Sequence, residues 1–190
     1  MSKKLIIIIV VFLALRLLSL NQSLWLDEAI SANVAQNYSY QDIVTQFSPS
    51  DFHPPFYYLL LKSWTSVFGY TEFSLRLPSV IFSLITILLV FRFFGFWPAL
   101  LLAANPLYLY YSQEARMYSL ATLLVFCAYL AFRSRKIFLY FLFVFLSLST
   151  FYGTIFVFAA IGLFFLIKKE FNQFCLYTTA IILPLLFWSP

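Results

Sequence analysis

The sequence predicts an all-α, polytopic membrane protein: seven transmembrane helices, with two juxtamembrane helices in the first extracytoplasmic loop. Three observations lead there. Of the 190 residues, 63% are hydrophobic and only 10% are charged, where an ordinary soluble domain carries about 25% charge. Long apolar runs recur from one end of the chain to the other, each a candidate span. The basic residues fall in short groups between those runs, so the net charge of +5 reads as membrane topology and not as a nucleic-acid surface. The 25 phenylalanines suit a lipid-facing surface and identify no chemistry.

The first run, Leu5 to about Leu20, follows Lys3-Lys4. It lacks a small-residue cleavage site and Arg16 interrupts it, so it reads as a span and not as a cleaved signal peptide. Residues 21–76 form a long polar-to-amphipathic connection. Further apolar runs follow at about 77–94, 97–111, 117–132, 137–152, 154–167 and 174–188. Several are shorter than the roughly twenty residues a span needs, which calls for aromatic flanks or a locally thinned bilayer. No fixed-period repeat is present, and Cys127 and Cys175 lie inside apolar runs without disulfide or zinc spacing. Residues 1–190 form a single membrane module.

The ambiguous stretch is 54–68, PPFYYLLLKSWTSVF. If it does not cross, Lys3, Lys4, Arg92, Arg133, Arg135, Lys136, Lys168 and Lys169 share the cytoplasmic side. Lys62, Arg76 and Arg116 then face out, with every acidic residue except Glu170. If it crosses, Arg92 and the clusters at 133–136 and 168–169 fall outside. The positive-inside rule selects the first arrangement, and Lys62 with its Tyr and Trp neighbours suits an interfacial helix. Pro54 and Pro55 suit a helix start, where a missing N–H costs little. The other interfacial helix is expected at about 27–37. The N-terminus is then cytoplasmic and the C-terminus outside, in the cytoplasmic (inner) membrane.

Within Trp25-Leu26-Asp27-Glu28-Ala29, two carboxylates sit where the first span surfaces. Acids are costly in hydrocarbon, although they also favour a helix N-terminus on electrostatic grounds alone. The same topology gathers Asp51, His53, Arg76, Glu114 and Arg116 on that outer face. Acids and cations at one depth suit binding of a lipid phosphate and activation of a hydroxyl. Arg16, about four residues inside the first span, is within snorkelling reach of the interface. Asp51 and His53 are two ligands at most, so no metal and no cofactor is expected. Tyr57, Tyr58 and Trp64 are open to two readings, stacking on a ligand's face or interfacial anchoring.

The order LWLDEA, DFHPPFYYLLLKSW, FGYTEFSLRLPS, NPLYLYYSQEARMYSL resembles the GT-C membrane glycosyltransferases. It is most like bacterial relatives of the protein O-mannosyltransferases and of the aminoarabinose transferases. The motifs cover about residues 5–130. The resemblance implies transfer of a sugar, with inversion, from a polyprenyl-phosphate donor to an acceptor hydroxyl of a glycan, lipid or protein. It makes Asp27 the general base, with Glu28 positioning the acceptor or supporting the base. Arg116 becomes the first candidate for the carrier phosphate. Arg76 and Arg16 are either further phosphate ligands or anchors. Glu114 is a second acid of the site or the partner that orients Arg116; Asp51 and Tyr57 join the substrate-binding set, and His53 orients the loop or touches substrate. Family members usually continue beyond a seventh span, so the stop at Trp188-Ser189-Pro190 implies a minimal or truncated member. Two other classes remain open: a non-catalytic carrier-binding or assembly subunit, and a small transporter or flippase. A transporter would favour inverted repeats and midplane polar groups, neither of which the sequence displays.

Overall fold

A computed structural model describes residues 3–17, 20–51 and 53–188. For 173, 174, 176, 177, 183 and 185–188 it describes the backbone alone. The described residues are helical, with no strand among them. Leu18 and Ser19 of the first apolar run, Phe52 of the DFHPP motif and the final Ser189-Pro190 lie outside the described residues.

Helix α1 is Lys3–Arg16. Helix α2, Leu26–Asn37, starts after extended Trp25, with Asp27 and Glu28 in its first turn. The Glu28 carboxylate reaches back to the Trp25 amide at 3.4 Å, one half of a capping box. Ser39 then caps a helical stretch that the sequence left as loop. This stretch comprises α3 Tyr40–Asp42, a π-helical turn Ile43–Phe47, and α4 Ser48–Asp51. The Ser39 hydroxyl accepts from the Asp42 amide at 3.1 Å. Helix α5, Phe56–Phe68, ends at Gly69, whose φ of 80° is the left-handed turn that glycine allows. Both helices expected in the 21–76 segment are present.

Helix α6 is Glu72–Phe94, opened by Thr71, whose hydroxyl accepts from the Ser74 amide at 3.2 Å. Pro78 inside it has no N–H, so the Ser74 carbonyl loses its partner four residues on. The Trp64 indole of α5 donates to that carbonyl at 2.9 Å. Trp64 is therefore a pin between two helices.

The run at 97–111 is two helices and not one: α7, Phe96–Ala104, and α8, Pro106–Ser112. Asn105 caps α8 by accepting from the Tyr108 amide at 2.9 Å, and Pro106 takes the first helical position, where its ring is tolerated. Then come α9 Tyr118–Arg133, α10 Ile137–Leu148, α11 Thr154–Ile167 and α12 Phe171–Trp188.

Among the described residues α6 is the one helix long and apolar enough to cross a membrane. Helices α9, α10 and α11 are apolar but shorter. Three cores hold the fold. Ile8, Phe12, Val80, Ile87, Ala99 and Ala103 join α1, α6 and α7. Ala128, Tyr140, Val144, Leu148, Phe158 and Ala180 join α9 to α12. Val34, Ile43, Phe47, Leu61, Leu75 and Leu120 gather α2, the π turn and α5 over the starts of α6 and α9. Ala115 and Met117, on either side of Arg116, are part of this third core. Large apolar side chains elsewhere point outward, among them Leu101, Phe138, Phe156 and Ile167, each more than 70% exposed.

Candidate functional site

Glu28 is the hub of the site. Its carboxylate is 1% exposed and takes a two-pronged contact from Arg76, Nε to Oε1 at 2.8 Å and Nη2 to Oε2 at 2.6 Å. The Ala115 amide adds a third bond to Oε1, also 2.8 Å. The remaining Arg76 N–H groups donate to the carbonyls of Leu20, Gln22 and Ser23, at 2.8, 2.6 and 3.2 Å. A guanidinium has five N–H donors, and every one is directed at a protein oxygen. Residues 20–23 carry no helical hydrogen bonds of their own, and Arg76 satisfies three of their carbonyls. The pair thus ties the exit of α1, the start of α2, the start of α6 and the turn at 113–117 together. A phosphate at Arg76, or an acceptor at Glu28, would have to displace those bonds.

Asp27 sits one residue away with the opposite surroundings. Its side chain is 36% exposed, and its Oδ2 lies 3.7 Å from Arg116 Nη2. Arg116 is 5% exposed at the side chain. Its Nη1 donates to the Asp27 carbonyl at 3.4 Å and to the Tyr58 hydroxyl at 3.5 Å, and its Nε is buried without a hydrogen-bond acceptor. These are long contacts for a buried cation. The Tyr118 hydroxyl also lies close enough to favour the charge, so Arg116 is held in place with Nε as its open donor.

Glu114 is the second acid here. It is 5% exposed, with both carboxylate oxygens buried and short of a well-formed hydrogen bond. Burial raises its pKa above the usual carboxylate range. The Glu28 and Asp27 charges push the same way, against the Tyr110 hydroxyl and Arg116. Glu114 does not pair with Arg116 within ion-pair distance; that position belongs to Asp27. The turn that carries both residues is anchored elsewhere. Gln113 Nε2 donates to the Leu15 and Arg16 carbonyls at 3.2 and 3.1 Å, and the Ser79 hydroxyl donates to the Arg116 carbonyl at 3.3 Å.

Asp51 and His53 meet. His53 Nδ1 faces both the Asp51 carbonyl, at 2.8 Å, and Asp51 Oδ2, at 3.0 Å. With two acceptors before it, Nδ1 carries the proton. The Tyr58 hydroxyl donates to the same Oδ2 at 3.1 Å. Among the described residues no three His, Cys, Asp or Glu side chains gather as a metal would require.

Three expectations are corrected. Arg16 does not snorkel: it is fully buried, Nη1 donates to the Ala103 carbonyl at 2.8 Å, and the guanidinium lies 4.4 Å from the Phe12 ring centroid. The break before Pro106 leaves that carbonyl at the C-terminus of α7, where a cation is favoured. Tyr57 offers no face to a sugar, because it is 1% exposed and packed edge-on against Tyr58. Burial raises the pKa of both phenols, so both stay neutral. Tyr58 is also no stacking platform; it is the link between Asp51 and Arg116. The helical spacing of the buried residues 57, 58, 61 and 65 was the available signal that both rings point inward.

A groove of about 550 Å³ opens beside the site. Tyr111, Tyr118 and Phe151 form its upper end, and Phe126, Tyr129 and Val157 continue it down α9 and α11. Its lining is almost wholly apolar.

No family model, curated protein or solved structure matches this chain.

Proposed function

We propose that the chain is a GT-C-type membrane glycosyltransferase that moves a sugar from a polyprenyl-phosphate donor to an acceptor hydroxyl, with inversion, on the outer face of the cytoplasmic membrane. The observation that carries this reading is the exposed Asp27 carboxylate held beside the buried, unsaturated Arg116. Asp27 is the general base in this scheme: it takes the acceptor proton as the hydroxyl oxygen attacks the anomeric carbon. A positioned base contributes about 10²–10⁴-fold. The bond to the carrier phosphate breaks on the opposite face, and the phosphate leaves as an anion. Arg116 binds that phosphate through the fork of Nε and Nη2, while Nη1 keeps its contact with the Tyr58 hydroxyl. Glu114, whose pKa burial raises, lines the site as a second acid that hydrogen-bonds a sugar hydroxyl. Glu28 supports the base by fixing the first turn of α2. The apolar groove beside Tyr118 takes the start of the isoprenoid chain.

Seven spans are part of this proposal, with the N-terminus inside and α2 and α5 juxtamembrane on the outside. Its support is the charge distribution and the outward-facing Leu101, Phe138, Phe156 and Ile167, since a soluble monomer rarely exposes a large apolar patch. Helix α10, with 12 residues, rises only about 18 Å, so the bilayer thins there or the aromatic flanks complete the crossing.

The test is the purified full chain in bilayers with labelled polyprenyl-phosphate sugar. Binding and transfer are expected from the wild type. Carrier binding without transfer would favour a carrier-binding subunit, and neither would remove both readings. For topology, cysteines placed at 51 and 114 should label from outside, and one at 134 should not.

A further inference from the structure

Five groups from four parts of the chain form one connected path through the site. It starts at His53 and Asp51, both about a quarter exposed. It passes through Tyr58, fully buried on α5, to Arg116 and ends at Asp27. The donor directions along it are consistent. Arg116 Nη1 donates to the Tyr58 oxygen, and the Tyr58 O–H donates to Asp51 Oδ2. A phenol between a cation and a carboxylate is polarised by both; its bond to Asp51, at 3.1 Å, is the stronger, and the Arg116 contact, at 3.5 Å, the weaker. A phenylalanine there would fill the same volume and make neither bond.

We propose that Tyr58 is a positioning residue: its hydroxyl couples Arg116 to the Asp51–His53 pair and fixes where the guanidinium points. That Arg116 then meets a carrier phosphate rests on the function proposed above; the coupling itself does not. Asp51 divides its charge between the His53 ring and the Tyr58 hydroxyl. Whatever draws Arg116 away from Tyr58 weakens the phenol as a donor and leaves more of that charge to His53. The Nδ1–H bond of His53 to Asp51 is then strengthened. The groups facing His53 are Asp51 directly and Tyr58 through Asp51, with Arg116 and Asp27 beyond.

His53 is the only histidine in the chain, so its imidazole gives one unambiguous NMR signal in full-length protein carrying a tag free of histidine. The chemical shift of its Nδ1–H proton is followed at one fixed pH in the wild type, Tyr58→Phe, Arg116→Gln and the double variant. Both single substitutions should move that proton downfield as its bond to Asp51 strengthens, and the effect of Arg116→Gln should shrink by about half or more in the Tyr58→Phe background, as coupled sites require. Arg116→Gln acting equally in both backgrounds, or in neither, would overturn the coupling, since a through-space charge needs no hydroxyl. In the same samples polyprenyl phosphate is titrated. Tyr58→Phe should bind it about two- to tenfold more weakly, the range for one lost hydrogen bond. Equal binding by the wild type and Tyr58→Phe would remove the positioning role. Coupling without any carrier binding by the wild type would remove the glycosyltransferase reading and leave Tyr58 as the residue that positions Arg116.

Discussion

Asp27 and Glu28 are neighbours in sequence and share the first turn of one helix, and each meets an arginine. The resemblance ends there. Glu28 is sealed, and its partner Arg76 has no donor left over. Asp27 is more than a third exposed, and its partner Arg116 keeps a buried nitrogen without an acceptor. Successive residues on a helix point about 100° apart, which turns one carboxylate into the fold and the other toward the outside. The saturated pair ties four segments of the fold together; the other pair is the one the proposed function uses.

The largest effect should come from breaking the saturated pair. Glu28→Gln leaves Arg76 as an uncompensated buried cation and should cost about 3–5 kcal/mol of stability, measured by denaturant unfolding in detergent. A loss under about 1 kcal/mol, the value of a surface pair, would place Glu28 with Asp27 and dissolve the contrast. Arg116 sharpens the comparison from the other side. Arg116→Ala should weaken polyprenyl-phosphate binding at least about tenfold, since charge-assisted bonds contribute about 1.5–3 kcal/mol each. Arg116→Lys should fall between, keeping the charge without the fork. Wild-type binding by folded Arg116→Ala would make Arg116 an anchor only.

The smallest effect concerns Glu114, the acid with no arginine. Its folded pKa is raised by burial, so between the unfolded value and the raised one the native state holds the extra proton. Stability from that proton is present below the unfolded pKa and is lost as pH rises through the folded one. Glu114→Gln mimics the protonated form and should flatten this fall. An unchanged pH–stability slope would mean that Glu114 ionises freely in the folded protein.

Much of the helical layout was legible, and the reasons show in particular residues. Helices α2 and α5 announce themselves by acids in a first turn and by a Pro-Pro start. The helical stretch from Tyr40 to Asp51 was missed although Ser39 and Asp42 carry a capping box. The Asn105-Pro106 break was missed because the apolar run hides an N-cap followed by proline, the usual mark of a new helix. That Asp27, Glu28, Asp51, His53, Arg76 and Arg116 would lie near one another was legible from charge and order, whereas which of them pair was not. Which of two adjacent acids is buried depends on the rotation of α2, set by contacts with Arg76 and Ala115 some 48 and 87 residues away. Trp64 and Arg16 went to backbone carbonyls left open by Pro78 and by the end of α7, and only the packing shows which side chain reaches such a carbonyl.

The most direct measurement pairs the two neighbouring acids in one protocol. Asp27→Asn and Glu28→Gln are each followed for thermal unfolding and for transfer from labelled polyprenyl-phosphate sugar. Asp27→Asn should unfold as the wild type does, within about 1 kcal/mol, and lose transfer by about 10²–10⁴-fold. Glu28→Gln should unfold far more easily. If Asp27→Asn instead turns over near the wild-type rate, or unfolds as readily as Glu28→Gln, the division between a structural and a reactive carboxylate is contradicted.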